Sequence, residues 1–80
     1  MRTFVVTRSD EGDWVLHRLG DQGILHEGPF METWLRGAAL AAGNTPACLV
    51  ALNSEGRAIA LEIVDVLGES EGFYAGPGPC

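Results

Sequence analysis

The sequence predicts an α+β fold: one helix packed on one face of a single, mainly antiparallel sheet of four to five strands, in the order ββ(β)αββ. Three observations predict this class. Two segments near the N-terminus and two in the second half are rich in β-branched, aromatic and aliphatic residues. Each pair is joined by a short turn that ends in Glu-Gly. Between the pairs, one stretch at about 29–43 has the apolar spacing of a helix.

The first hairpin is predicted over residues 3–19, with its turn ending at Gly12. A type I turn followed by a glycine in the left-handed conformation gives a short loop with a bulge. That register pairs Val6 with Leu16. One face of the hairpin then carries Phe4, Val6, Trp14 and Leu16, and the other carries Thr3, Val5, Thr7, Val15, His17 and Leu19.

A short third strand is predicted at residues 24–27, and a helix follows it. Pro29 opens the helix, because proline is favoured at the first helical position, where its missing N–H would be unpaired anyway. Gly43 and Asn44 end it. Projection at about 100° per residue predicts an apolar stripe made of Phe30, Met31, Trp34, Leu35, Ala38, Ala41 and Ala42, with Glu32, Thr33, Arg36 and Gly37 opposite.

The second hairpin, Ala47–Leu67, is apolar on both faces. A turn ending at Gly56 predicts a register that pairs Ala51 with Ile59. One face then shows Ile59, Leu61 and Ile63, and the other is interrupted by Glu62. Because burial of an unpaired carboxylate is costly, we expect the Ile59 side to face the helix. The predicted core is Phe4, Val6, Trp14, Leu16, Phe30, Met31, Trp34, Leu35, Ala38, Leu49, Ile59, Leu61 and Ile63.

The chain is predicted to form one domain over residues 1–67, followed by a Gly/Pro-rich C-terminal tail at 68–80. Phe73 and Tyr74 are the only large apolar residues of the tail. An 80-residue chain has a small core, and dimerisation is a common remedy.

Composition argues against several classes of partner. Eleven acidic residues against five basic ones give a net charge of −6, and the five arginines are scattered. Phosphate binding requires clustered cations, so we expect no nucleic-acid partner, and an anionic membrane surface would repel the chain. No apolar run approaches the length of a membrane span. Without a signal-peptide pattern or a disulfide framework, the expected location is cytoplasmic.

No residue carries a convincing catalytic, metal-binding or cofactor-binding pattern. His17 and His26 lack the third ligand that a zinc site needs. Cys48 lies mid-strand among apolar neighbours, where cysteine behaves as a small hydrophobic residue, and Cys80 is interpreted as an incidental thiol. Trp14 and Trp34 are predicted to be the two largest core residues rather than a ligand-stacking pair. We therefore expect a protein that is not an enzyme and has no cofactor.

The first hairpin contains a Gly-x-Trp motif and the second closes on Glu-Gly-Arg, with an Ala-rich helix between them. In this pattern the chain resembles small bacterial ββαββ domains of unknown function over about residues 3 to 60. The resemblance implies the fold and no particular activity. The matching residues are Val5, Val6, Arg8, Gly12, Trp14, Leu16, Ala38, Ala39, Ala42, Glu55, Gly56 and Arg57.

One helix covers only one face of a sheet, so the other face is predicted to be an interaction surface. The first hypothesis is a protein-interaction module, a homodimer or a partner of another protein. The alternative is a monomer that binds a ligand or peptide and whose tail, through Phe73 and Tyr74, covers the sheet. A pocket between helix and sheet and a nucleic-acid-binding sheet rank lower. The predicted interaction face is Val5, Val15, His17, Leu19, Val50, Leu52, Ala58, Ala60 and Val64.

Overall fold

The computed structural model describes residues 1–77, which form six strands and one helix. In chain order the elements are β1 Arg2–Arg8, β2 Trp14–Arg18, β3 Ile24–Gly28, α1 Phe30–Ala42, β4 Ala47–Leu52, β5 Ala58–Val64 and β6 Ser70–Tyr74. The strands form one sheet in the spatial order β3-β2-β1-β4-β5-β6. The predicted α+β class and mainly antiparallel sheet are confirmed, and the sheet has one strand more than the upper prediction.

The two central strands, β1 and β4, run parallel, and every other neighbouring pair is antiparallel. A parallel pair needs a long crossover, which is usually helical. Here the connection from β1 to β4 runs through β2, β3 and α1, and α1 packs mainly against β1, β4 and β2. The helix therefore covers the middle of one sheet face and leaves the β6 edge of the same face open.

The first hairpin has the predicted register. Val6 pairs with Leu16 and Phe4 pairs with Arg18. The turn is closed by the N–H of Gly12, which donates to the carbonyl of Ser9 at 3.1 Å. Gly12 has a φ of 92°, a conformation that favours glycine.

The predicted register of the second hairpin is wrong beyond its turn. Leu52 pairs with Ala58 as expected, but a bulge shifts the register so that Ala51 pairs with Ala60 instead of Ile59. A one-residue shift exchanges the faces of a strand. Ala60 and Val64 therefore belong to the buried core under the helix, and Leu61 and Ile63 point away from it. Ile59, next to the bulge, is half-buried and packs against the core.

The helix is confirmed in extent, but its buried face is rotated from the prediction. Met31 and Leu35 are exposed by 50% and 59%, whereas Thr33 is fully buried and Gly37 is buried. A Cβ on Gly37 would lie 2.7 Å from Leu49 Cδ1. Because Gly37 has no side chain, the helix can lie close to the sheet at this position. Gly37 is therefore buried by the close approach of the two backbones and not by its hydrophobicity.

The residues assigned to a C-terminal tail contribute the sixth strand. Residues 70–74 pair antiparallel with β5, with Leu61 opposite Phe73 and Ala60 opposite Tyr74. A turn closed by the N–H of Gly68 and the carbonyl of Asp65, at 3.0 Å, connects the two strands. The predicted tail therefore extends the sheet as an edge strand, and only residues 78–80 of it lie outside the described part of the chain.

The core under α1 is organised around aromatic side chains. Phe30 contacts Trp14 edge-on at 4.8 Å between ring centroids and stacks on Trp34 at 6.1 Å. Tyr74 reaches from β6 to both Phe30 and Trp34, at 6.1 Å in each case. Both tryptophans are buried, as predicted. The core cluster is Phe4, Val6, Trp14, Leu16, Phe30, Trp34, Ala41, Ala47, Leu49, Ala51, Ala60 and Val64.

Candidate functional site

The candidate site is the sheet face opposite α1, which we name the outer face. Residues paired across neighbouring strands point to the same side of a sheet, so the registers identify its members. One continuous row crosses all six strands from β3 to β6. Its members are Ile24, His17, Val5, Val50, Leu61 and Phe73.

Two further rows flank this central row. One consists of Glu27, Val15, Thr7, Leu52 and Ala58, and the other of Thr3, Cys48, Ile63 and Glu71. The two carboxylates lie on the edge strands, Glu27 on β3 and Glu71 on β6. None of these paired positions is occupied by an arginine. The centre of the outer face is thus mainly apolar, with His17, Thr3 and Thr7 as polar members, and carboxylates lie at its edges.

Exposure is greatest toward the two edges of the outer face. Ile24 is 61% exposed and Phe73 49%, whereas Val5 in the middle is 5% exposed. No described element lies over this face, because α1 packs on the opposite side. Large apolar side chains therefore remain in water unless something else covers them.

The structure brings together seven of the nine residues predicted to form the interaction face. Six of them belong to the rows already described: Val5, Val15, His17, Val50, Leu52 and Ala58. Leu19 follows β2, is 64% exposed and donates its N–H to the Thr3 carbonyl. Ala60 and Val64 were assigned wrongly. They are 0% and 5% exposed in the core under the helix, because the bulge shifts the register of β5.

Four apolar members of the outer face are absent from the predicted interaction face: Ile24, Leu61, Ile63 and Phe73. Leu61 and Ile63 were assigned to the helix side by the unshifted register. Phe73 is predicted to lie in a tail but lies in β6, and the sequence does contain a signal for the extra hairpin. The Asp-x-x-Gly spacing of Asp65 and Gly68 resembles the Ser-x-x-Gly spacing of Ser9 and Gly12 in the first turn.

Cys48 lies on the outer face, opposite Thr3 and Ile63. It is a half-buried free thiol, and burial raises its pKa. The thiolate is the nucleophilic form of cysteine, so a raised pKa lowers the reactive fraction at neutral pH. Its position and its pKa both suit a packing residue better than a nucleophile.

The two histidines cannot share a ligand, because their side chains lie on opposite sheet faces. His17 pairs with Val5 on the outer face, whereas His26 pairs with Leu16 on the helix side. There His26 Nε2 lies 3.4 Å from Glu32 Oε2 at the start of α1. Within residues 1–77, no group of three or more His, Cys, Asp or Glu side chains is arranged to hold a metal ion.

Phe73 and Tyr74 do not fold over the outer face as the tail hypothesis requires. Successive residues of a strand point to opposite sides. Phe73 therefore joins the outer face and Tyr74 packs on the helix side. Strand β6 widens the apolar surface and does not cover it.

Comparisons with known proteins do not assign this chain to a family. A scan against protein-family models finds no match, and searches of the curated proteins and of the solved structures find none either. The resemblance to small bacterial ββαββ domains therefore stays a prediction. Among the described residues, no helix has the length and apolar character needed to cross a bilayer.

Proposed function

We propose that this protein is a non-enzymatic interaction module that binds a second copy of itself through the outer face of its sheet. The observation that carries the proposal is the central row, in which five of the six side chains are apolar. Two such faces packed together form a sandwich with interdigitating side chains, about 10 Å thick. The proposal includes a cytoplasmic setting, which suits the free thiol of Cys48.

The size of the outer face supports a second copy as the occupant. The strands hold five to seven residues each. With strands about 4.8 Å apart and a rise of about 3.3 Å per residue, the face covers roughly 500 Å² in projection. Two such faces bury about 1,000 Å², the low end of specific interfaces. A single peptide strand or helix would leave much of the apolar surface uncovered.

The distribution of charge also suits self-association. Glu27 and Glu71 lie on the edge strands, where they would form a solvated rim around an apolar centre. Interfaces of this kind combine a core depleted in charge with a polar rim. Because both copies carry a net charge of −6, we expect the association to be weak and dependent on concentration.

Sedimentation equilibrium from micromolar to millimolar concentration tests the proposal. The wild-type chain should approach the dimer mass as concentration rises. Val50→Lys, which puts a charge at the centre of the outer face, should remain monomeric. The matched control is Leu35→Lys, which changes an exposed apolar residue on the helix, 59% accessible, and should dimerise like the wild type. A wild-type chain that stays monomeric throughout would contradict the proposal.

A further inference from the structure

A cleft lies on the helix side of the sheet, opposite the outer face. It lies where α1 stops short of the β6 edge and has a volume of about 240 Å³. Trp34 from the helix and Tyr74 from β6 contribute its aromatic walls, and Glu62 contributes a carboxylate on the helix side. None of its lining residues within 1–77 is basic. The cleft therefore combines aromatic rings with negative charge.

The aromatic walls are held in place by their neighbours. Trp34 and Tyr74 meet at 6.1 Å between centroids with their ring planes 60° apart, so they form a corner. Phe30 stacks on Trp34 with ring planes 13° apart and also contacts Tyr74. Because Phe30 is itself packed edge-on against Trp14, the corner does not have to be assembled when a ligand arrives.

Glu62 places a carboxylate in this cleft. It is half-buried, and its register opposite Leu49 and Gly72 places it on the helix side, in the floor of the cleft. Within residues 1–77 its carboxylate has no hydrogen-bond or ion-pair partner. A cation placed beside this unpaired carboxylate would gain a favourable charge–charge interaction with it.

We propose that this cleft binds the alkylammonium group of a ligand, a lysine-like or methylated ammonium end. Cations bind over the faces of tryptophan and tyrosine, and aromatic cages recognise quaternary ammonium groups. Here Tyr74 is 51% exposed and offers the open ring, and Trp34, which is 8% exposed, packs against it. The volume of about 240 Å³ is below the range of about 300–1,000 Å³ common for drug-sized ligands. It suits the end of one side chain or a small amine. A metal ion is a poorer fit, because hard cations require several oxygen ligands together.

The test is an NMR titration of the full chain with choline and with its neutral isostere 3,3-dimethylbutanol. We expect choline to shift the Gly72 and Tyr74 amides and the Trp34 indole signal in a saturable way, and to bind roughly tenfold more tightly than the isostere. Butylammonium and methylguanidinium in parallel distinguish an ammonium site from one for arginine-like groups. Equal binding of the isostere, preference for methylguanidinium, or no shift with choline would each overturn the proposal.

Two variants distinguish specific binding in the cleft from general attraction of choline to the acidic surface. Glu62→Gln should weaken choline binding several-fold and leave the isostere unaffected, and it removes no contact that the fold needs. Glu55→Gln changes an exposed turn carboxylate that does not line the cleft and should bind choline like the wild type. Unchanged binding in Glu62→Gln would overturn the proposal. Val50→Lys should bind choline like the wild type even though it should not dimerise. Failure of choline binding and failure of self-association can therefore be distinguished.

Discussion

At the scale of single residues, the closest helix–sheet contact depends on a missing side chain. Gly37 is buried, and a Cβ at this position would lie 2.7 Å from Leu49 Cδ1 and 3.1 Å from Leu16 Cδ1. Leu16 and Leu49 are both fully buried, so neither can swing away. The hydrophobic pattern placed Gly37 on the polar side of the helix, because such a pattern scores the transfer of side chains from water and does not register how closely two backbones approach.

Gly37→Ala should therefore destabilise the protein despite the better helix propensity of alanine. Overpacking a tight core costs about 1–3 kcal/mol, against a gain of up to about 1 kcal/mol from propensity. We expect a net loss of about 1 kcal/mol in the free energy of unfolding, measured by urea denaturation. Gly43→Ala is the matched control, because its nearest neighbour would lie at 3.7 Å. If both variants were equally stable, the close approach at Gly37 would be refuted.

The thiol of Cys48 gives a second prediction at this scale. Because burial raises its pKa, a smaller thiolate fraction exists at neutral pH than in an exposed cysteine. In a Cys80→Ser background, the alkylation rate should rise with pH over a range above that of a free cysteine peptide, whose pKa is about 8.5. The rate at fixed pH should fall as protein concentration rises, because self-association covers the outer face. A rate profile equal to that of the peptide would contradict the burial argument.

At the scale of elements, the turns were predictable and the bulge was not. Glycines at fixed spacing identified both hairpin turns and the correct register of the first hairpin. In β5 both alternating sets are apolar except for Glu62, which favours the wrong face. Glu62 lies on the helix side, but in the cleft that α1 leaves open rather than under the helix, so the period of two that normally chooses a face misleads here. The bulge moves Ala60 under the helix opposite Ala51, where two small residues let α1 lie close to the sheet. The need for small residues at this point of the sheet depends on where α1 packs, and the sequence of β5 alone does not indicate that.

The shifted register of β5 predicts different responses at two alanines. Ala60→Leu should cost about 1–3 kcal/mol of unfolding free energy, because Ala60 is fully buried. Ala58→Leu, two residues earlier at an exposed position on the outer face, should change stability by less than about 0.5 kcal/mol. Thermal and urea denaturation measure both. The unshifted register places both alanines on the uncovered face. An Ala60→Leu variant as stable as the wild type would therefore support the unshifted register.

At the scale of the whole molecule, the fold leaves the two sheet faces with different environments. One face is covered by α1 except at the β6 edge, and the other carries a row of side chains across all six strands. The sequence was sufficient to predict that one face would lack a cover. It was not sufficient to assign the members of that face, since this required the bulge in β5 and the strand β6. Both the bulge and the sixth strand depend on tertiary packing, which a single stretch of sequence does not reveal.

Net charge gives a prediction for the assembled molecule. Each copy carries a net charge of −6, so two copies repel each other, and added salt screens that repulsion over a Debye length of about 10 Å at 0.1 M. The dimerisation constant measured by sedimentation should therefore increase when sodium chloride is raised from low to moderate concentration. A constant that decreased with salt would indicate that attraction between opposite charges holds the dimer, contrary to an apolar interface.

The most direct measurement of the central claim is an isotope-filtered NOE experiment on an equimolar mixture of carbon-13-labelled and unlabelled chains. The account predicts intermolecular NOEs among the methyl and ring protons of Val50, Leu61 and Phe73, at the centre and β6 end of the outer face. Intermolecular NOEs confined to Met31 and Leu35 on the exposed side of the helix would contradict it. So would the absence of intermolecular NOEs at millimolar concentration.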